Sequence, residues 1–105
     1  MADSATMTDV KDSTTLMPNY AVVLHNDQDH SIAFVIEMIS KVCKYGRDKS
    51  MALAMRVHYE GRAHVWIGPL ELAELKCEQL TNCGADPYND KHVDKPLNVT
   101  VEQLP

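Results

Sequence analysis

The sequence contains no run of lysine or arginine, and its formal net charge is −5. Affinity for a phosphate backbone comes largely from a basic footprint, so no nucleic-acid partner is expected and a cationic ligand fits better. No stretch approaches the roughly 18 consecutive apolar residues of a membrane-spanning helix, so no membrane partner is expected either. The segment MADSATMTDVKDSTT lacks an apolar core and carries aspartates, unlike secretory and organelle-targeting peptides. A cytoplasmic location is the expectation. Only three cysteines are present, Cys43, Cys77 and Cys83, and no two form a C-x-x-C pair, so neither a disulfide framework nor a zinc knuckle is indicated. Internal repeats at solenoid periods are also absent.

What remains is 105 residues with 45% hydrophobic content, enough for one small domain with a modest core. Residues 1–18 are Ser, Thr, Asp and Met without periodicity and read as a flexible arm, because they bury too little apolar surface to offset their ordering entropy. Residues 19–105 read as the core domain. YAVVL, from Tyr20 to Leu24, is short and β-branched and suits a buried strand. Ile32, Val35, Ile36 and Ile39 recur at helical spacing, with Asp29, His30 or Ser31 available as the cap and Gly46 near the end. A second helix is expected to start at an Asp48 cap and stop at Gly61, with Met51, Ala54, Met55 and His58 on its core-facing stripe. RAHVWIG alternates, placing Ala63, Val65 and Ile67 on one side and His64 and Trp66 on the other. A third helix opens with Pro69 at its first position and carries the stripe Leu70, Ala73, Cys77 and Leu80. ADPYNDKHVDK reads as a surface loop, and PLNVTVEQ as a final strand with Leu97, Val99 and Val101 inward. The order strand, helix, helix, strand, helix, strand predicts an α+β fold, one small sheet with helices on one face.

Between the first strand and the first helix lies the polar knot LHNDQDHS. Asn26 and Asp27 there, with His58 if the second helix packs nearby, would supply an amide oxygen, a carboxylate and a neutral imidazole nitrogen, all hydrogen-bond acceptors. A primary ammonium offers three donors and no acceptor, and the α-amino group of a peptide is mostly charged at neutral pH. The set therefore suits a free amino terminus beside an apolar pocket. Taken singly, Asn and Asp at such a junction are most often turn and cap residues, and a lone histidine on an apolar helical face is most often semi-core. A metal site built from His25, Asp27, Asp29, His30 and His58 is the second functional reading, although no familiar zinc spacing such as H-E-x-x-H occurs. A cysteine nucleophile is a weaker one, since the cysteines fall in or beside apolar helical stripes.

The run YAVVLHNDQDHSIAFVIEMISKV, followed by MALAMRVHYEGRA and LELAELK, resembles ClpS, the small adaptor that delivers N-end-rule substrates to a Clp AAA+ unfoldase. The resemblance covers Tyr20 to about Leu80 without gaps and resumes at Pro96 and Leu97. It implies a three-stranded antiparallel sheet packed on three helices, no catalysis and no cofactor. It also implies that Asn26, Asp27 and His58 contact the substrate's α-amino end. Ile32, Val35, Ala54, Val57 and Leu97 would line a pocket for a bulky hydrophobic first side chain. A surface including Glu71 and Lys76 would dock on the N-domain of an unfoldase of the ClpA or ClpC type, with the N-terminal arm assisting delivery. A ClpS-fold regulator that docks without amino-terminal recognition is the alternative. The chain departs from the family pattern Asn-Asp-Asp/Glu-x-Thr-Pro-Met: His30, Ser31 and Ile32 replace Thr, Pro and the gatekeeper Met, and Ala54 replaces a second pocket Met. His30 is expected to cap the helix or face solvent, with a substrate contact as the other option.

Overall fold

The computed structural model describes residues 18–84, 86–88 and 96–105. The expected arm over residues 1–18 lies outside them except for Pro18. Among the described residues three strands and three helices follow one another in the order β1 (Tyr20–His25), α1 (Ile32–Cys43), α2 (Arg47–Glu60), β2 (Arg62–Gly68), α3 (Leu70–Thr81) and β3 (Asn98–Gln103). The sheet is antiparallel in the order β2-β1-β3, so the first strand is the central one. This is the α+β architecture expected. No described helix is long and apolar enough to cross a membrane.

Centrality explains the unbroken apolar run in β1, since residues 21–24 are buried on both faces. Val22 and Leu24 enter the core with Phe34, Ile39, Val57, Val65 and Leu80. Ala21 and Val23 face away from the helices, yet they too are fully covered. Long side chains from the flanking strands lie over them: Arg62 Nη2 of β2 donates to Glu102 Oε1 of β3 at 2.6 Å, across β1. On the same face His25 Nε2 and Thr100 Oγ1 are 2.8 Å apart.

The expected alternation of β2 fails after Val65. The register runs from Val22 opposite Trp66 to Val23 opposite His64, leaving Val65 as an extra residue in a bulge. A bulge reverses the phase of everything beyond it. Trp66 therefore packs against the core, whereas Ile67, expected inward, is 51% exposed. The indole lies over Gly68, where any Cβ would meet the ring.

The helices differ from expectation mainly in which face is buried. In α1 the deepest residues are Phe34, Met38, Ile39, Val42 and Cys43, while Ile32, Val35 and Ile36 form a half-buried flank. That helix ends at Lys44, in the left-handed region at φ 64°, with Gly46 then capping α2. Asp48 sits in the first turn of α2 rather than at its cap. The core-facing stripe of α2 is Ser50, Leu53, Ala54 and Val57, so Met51 and His58 are exposed. Pro69 is the cap of α3 rather than its first residue, and Asn82 closes that helix. Ala73 and Leu80 are buried as expected, but Leu70 is exposed.

Ser50 is a polar residue in this stripe. It is fully buried, and among the described residues its Oγ has no hydrogen-bond partner. An unsatisfied buried hydroxyl costs about 1–3 kcal/mol, and alanine is the better helix former. Ser50→Ala is therefore expected to raise stability by about 1 kcal/mol, read as a higher midpoint in urea with an unchanged slope.

Candidate functional site

After His25 the chain leaves the sheet and turns into α1 through the polar knot. Asp27 organises that turn. Its Oδ1 accepts the backbone N–H groups of Asp29 and His30, both at 2.8 Å, and its Oδ2 lies 2.7 Å from His30 Nδ1. A carboxylate can only accept, so the His30 tautomer at this contact carries its proton on Nδ1. Burial by itself would raise the Asp27 pKa. The hydrogen bonds from His30 and Asp29 outweigh it and hold the carboxyl below its ordinary value. Asp27 is thus an anion at neutral pH with one of its roughly four lone-pair sites still open.

His30 corrects an expectation. It does not face solvent: its side chain is 1% exposed, with the ring stacked on Phe34 at 5.5 Å between centroids and 14° between planes. Nor is it the cap. Ser31 caps α1, its Oγ accepting the Phe34 N–H at 3.1 Å. His30 instead clamps Asp27 from the core side.

The knot is tied to α2 by one backbone bond. Asn26 N–H donates to the carbonyl of Gly61 at 2.8 Å, and Gly61, at φ 91°, is the cap that closes α2. The cap N–H in turn bonds the Val57 carbonyl, so His58 lies in the turn that ends against Asn26. The structure thus joins Asn26 to the Gly61 cap, which closes the helix that carries His58, while Asp27 follows Asn26 in the knot. Contrary to the expected core-facing placement, His58 is exposed, its ring edge-on to Tyr59 at 4.8 Å. Exposure leaves that imidazole accessible to a ligand.

Of the apolar candidates, Ala54, Val57 and Leu97 belong to the buried core cluster, whereas Ile32 and Val35 are half-buried on the flank of α1. The docking candidates Glu71 and Lys76 both lie on α3, about 140° apart around its axis. Glu71 lines a groove with Glu74, Leu75 and Val101. Lys76 lines another, of about 530 Å³, with Lys41, Lys44 and Cys83, and its Nζ donates to the Val42 carbonyl at 2.8 Å.

The other readings find less support. Among the described residues no three His, Cys, Asp or Glu side chains are grouped to hold a metal ion. His25 bonds Thr100 and Asp27 bonds His30. Burial pushes the Cys43 thiol up to about 11 and raises those of Cys77 and Cys83, opposite to what a nucleophilic thiolate needs.

One functional candidate escaped the sequence. Asp86, expected in a surface loop, is 1% exposed. Its Oδ2 accepts the Ser31 N–H at 2.6 Å, and its Oδ1 accepts the Tyr88 N–H at 2.8 Å and the Ser31 hydroxyl at 3.3 Å. Asp-Pro-Tyr signals a turn, but no local pattern reveals a partner 55 residues away. The rest of the 84–95 connection, apart from Gly84 and residues 86–88, lies outside the described residues.

Comparison with known proteins bears on this geometry. Residues 15–100 match the family described as ATP-dependent Clp protease adaptor protein ClpS. ATP-dependent Clp protease adapter proteins ClpS are similar over much of the chain. That of Thermosynechococcus vestitus is 41% identical over 64% of this chain and 72% of its own. That of a Nostoc species is 36% identical over 80% and 91%, and that of Vibrio atlanticus 34% identical over 90% and 85%. A solved structure of Agrobacterium tumefaciens ClpS2 bound to L-phenylalaninamide superposes with a TM-score of 0.72 at 28% identity, covering 83% of this chain and 98% of that one. The chain belongs to the ClpS family of Clp protease adaptors.

Proposed function

We propose that this protein is an adaptor that binds the free α-amino group and bulky hydrophobic first side chain of its substrates and delivers them to a Clp AAA+ unfoldase. The observation that carries the reading is Asp27: an anion held by three hydrogen bonds, with acceptor capacity left, next to Asn26, whose N–H bonds the Gly61 cap of the helix that carries an exposed His58. An α-ammonium has three N–H donors. Asp27, Asn26 Oδ1 and neutral His58 match them one for one. The likeness to ClpS2, solved with phenylalaninamide, supports the same chemistry, since that ligand offers an α-amine and an aromatic side chain.

The first side chain then enters between Ile32 and Val35 at the rim and meets Ala54, Val57 and Leu97 at the floor. A β-branched Ile32 is stiff at χ1, which makes the rim discriminating, and the small Ala54 leaves room below. Aromatic first residues are favoured as a result. The unfoldase N-domain docks on α3 at a surface that includes Lys76, whose Nζ is partly committed to the Val42 carbonyl, and exposed Glu71.

Fluorescence anisotropy with peptides differing only in residue one tests both halves of the reading. Phe, Tyr or Trp at the first position is expected to bind at least about tenfold tighter than Leu, in line with the 1–3 kcal/mol that a hydrophobic pocket discriminates. An N-acetylated peptide should not bind. If no free amino-terminal peptide binds the wild type, the docking-only regulator replaces this reading.

A further inference from the structure

Asp86 and Tyr88 attach to α1 at two places. Asp86 holds Ser31 at the cap through its N–H and its hydroxyl, and the Tyr88 hydroxyl donates to Glu37 Oε1 at 2.9 Å, six residues further along the helix. The 2.6 Å bond to the Ser31 N–H is short and charge-assisted, and the anion sits where the helix dipole favours it. Ser31 is the only residue between His30, which clamps Asp27, and Ile32 at the half-buried flank. Whatever fixes the Ser31 peptide unit therefore fixes the separation between the ammonium acceptors and the rim.

We propose that Asp86 is a positioning residue for amino-terminal recognition, which sets selectivity among first side chains by locking Ser31. The proposal rests on the assignment of Asn26, Asp27 and His58 as ammonium acceptors and of Ile32 as the rim. A strap that merely stabilised the fold would leave that selectivity alone. A lock on the rim makes affinity and side-chain discrimination fall together, because a loosened Ile32 no longer presents one opening.

The interaction can be tested through its donor. Ser31 has φ −75°, inside the range of a proline ring, so Ser31→Pro removes the N–H and the hydroxyl that Asp86 accepts without demanding a new φ. Affinities of the full chain for peptides beginning with Phe and with Leu are measured for wild type, Asp86→Ala, Asp86→Asn, Ser31→Pro and the Ser31→Pro, Asp86→Ala double variant, with thermal unfolding alongside. Asp86→Ala is expected to weaken Phe-peptide binding about tenfold and to narrow the Phe-to-Leu ratio at least about threefold. Asp86→Asn, which keeps one acceptor, falls between wild type and Asp86→Ala. On the Ser31→Pro background, Asp86→Ala changes the ratio by less than about twofold, because the donors are already gone. Equal ratios in wild type and Asp86→Ala, whatever the change in melting temperature, overturn the proposal, and so does an equal loss on both backgrounds. Should Asp86→Ala fail to fold, the Asp86→Asn ratio decides by the same criterion. A wild type that binds no free amino-terminal peptide overturns the proposed function and this inference with it; one that binds free but not acetylated peptides keeps the two failures apart.

Discussion

Asp27→Ala is expected to reduce affinity for free amino-terminal peptides by about 100-fold or more. A hydrogen bond to a charged group contributes about 1.5–3 kcal/mol, and 1.36 kcal/mol is a factor of ten, so loss of the carboxylate alone accounts for roughly 10- to 100-fold. The remainder comes from the turn. Without the Asp27 oxygens, the backbone N–H groups of Asp29 and His30 and the His30 ring each lose the acceptor that fixes the knot. Asp27→Asn separates the two effects: it keeps an oxygen for the backbone donors but no charge, and should lose about tenfold. Titration calorimetry with a Phe-initial peptide measures both, and an Asp27→Ala protein within about threefold of wild type would refute the acceptor role. The pH dependence of stability follows from the same bonds. The folded-state pKa of Asp27 is depressed, so its contribution is present above the unfolded value and is lost as pH falls below about 4 through the folded one. The stability gap between wild type and Asp27→Asn should close in acid and stay constant from pH 5 to 7.

Phe34→Ala is expected to destabilise the protein by about 3–5 kcal/mol, a large share of the roughly 5–15 kcal/mol that holds such a domain together. Phe34 is 1% exposed and ranks among the largest fully buried side chains, so its truncation removes transfer energy and leaves a cavity that the surrounding strands and helices only partly collapse. At about 4–8 °C per kcal/mol the melting temperature should fall by more than about 12 °C. The same ring also supports His30, and through it Asp27. Affinity measured well below the transition should therefore drop as well, whereas Phe34→Leu, which keeps apolar bulk but no ring to stack, should recover most of the stability. A melting temperature within about 4 °C of wild type for Phe34→Ala would show that the ring is not a core support.

Part of this protein was readable without coordinates because the relevant physics is local. The β-branched run before the knot, the helical spacing after it and the Gly61 stop each act over a few residues, so element order and fold class follow from them. The proposal of Asn26 and Asp27 as an acceptor pair rests on equally local features, residue type and a strand-to-helix junction at the sheet's end. Side-chain orientation was less legible. The bulge at Val65 reverses which β2 residues face the core, and the apolar alternation of RAHVWIG carries no mark of it. On α2 two apolar stripes a single residue apart compete, and packing against the sheet selects the one through Ala54 and Val57, turning His58 outward.

The sequence by itself determined the order of elements, the chemistry available at the knot and, through its resemblance, the family. Tertiary structure alone decided that His30 serves Asp27 from inside the core and that Asn26 donates to the Gly61 cap, which ends the helix carrying His58. It also decided that Asp86 reaches back 55 residues to lock Ser31. The physical reason is that hydrogen-bond capacity belongs to a residue, whereas its partner is settled only when packing brings distant backbone within 3 Å.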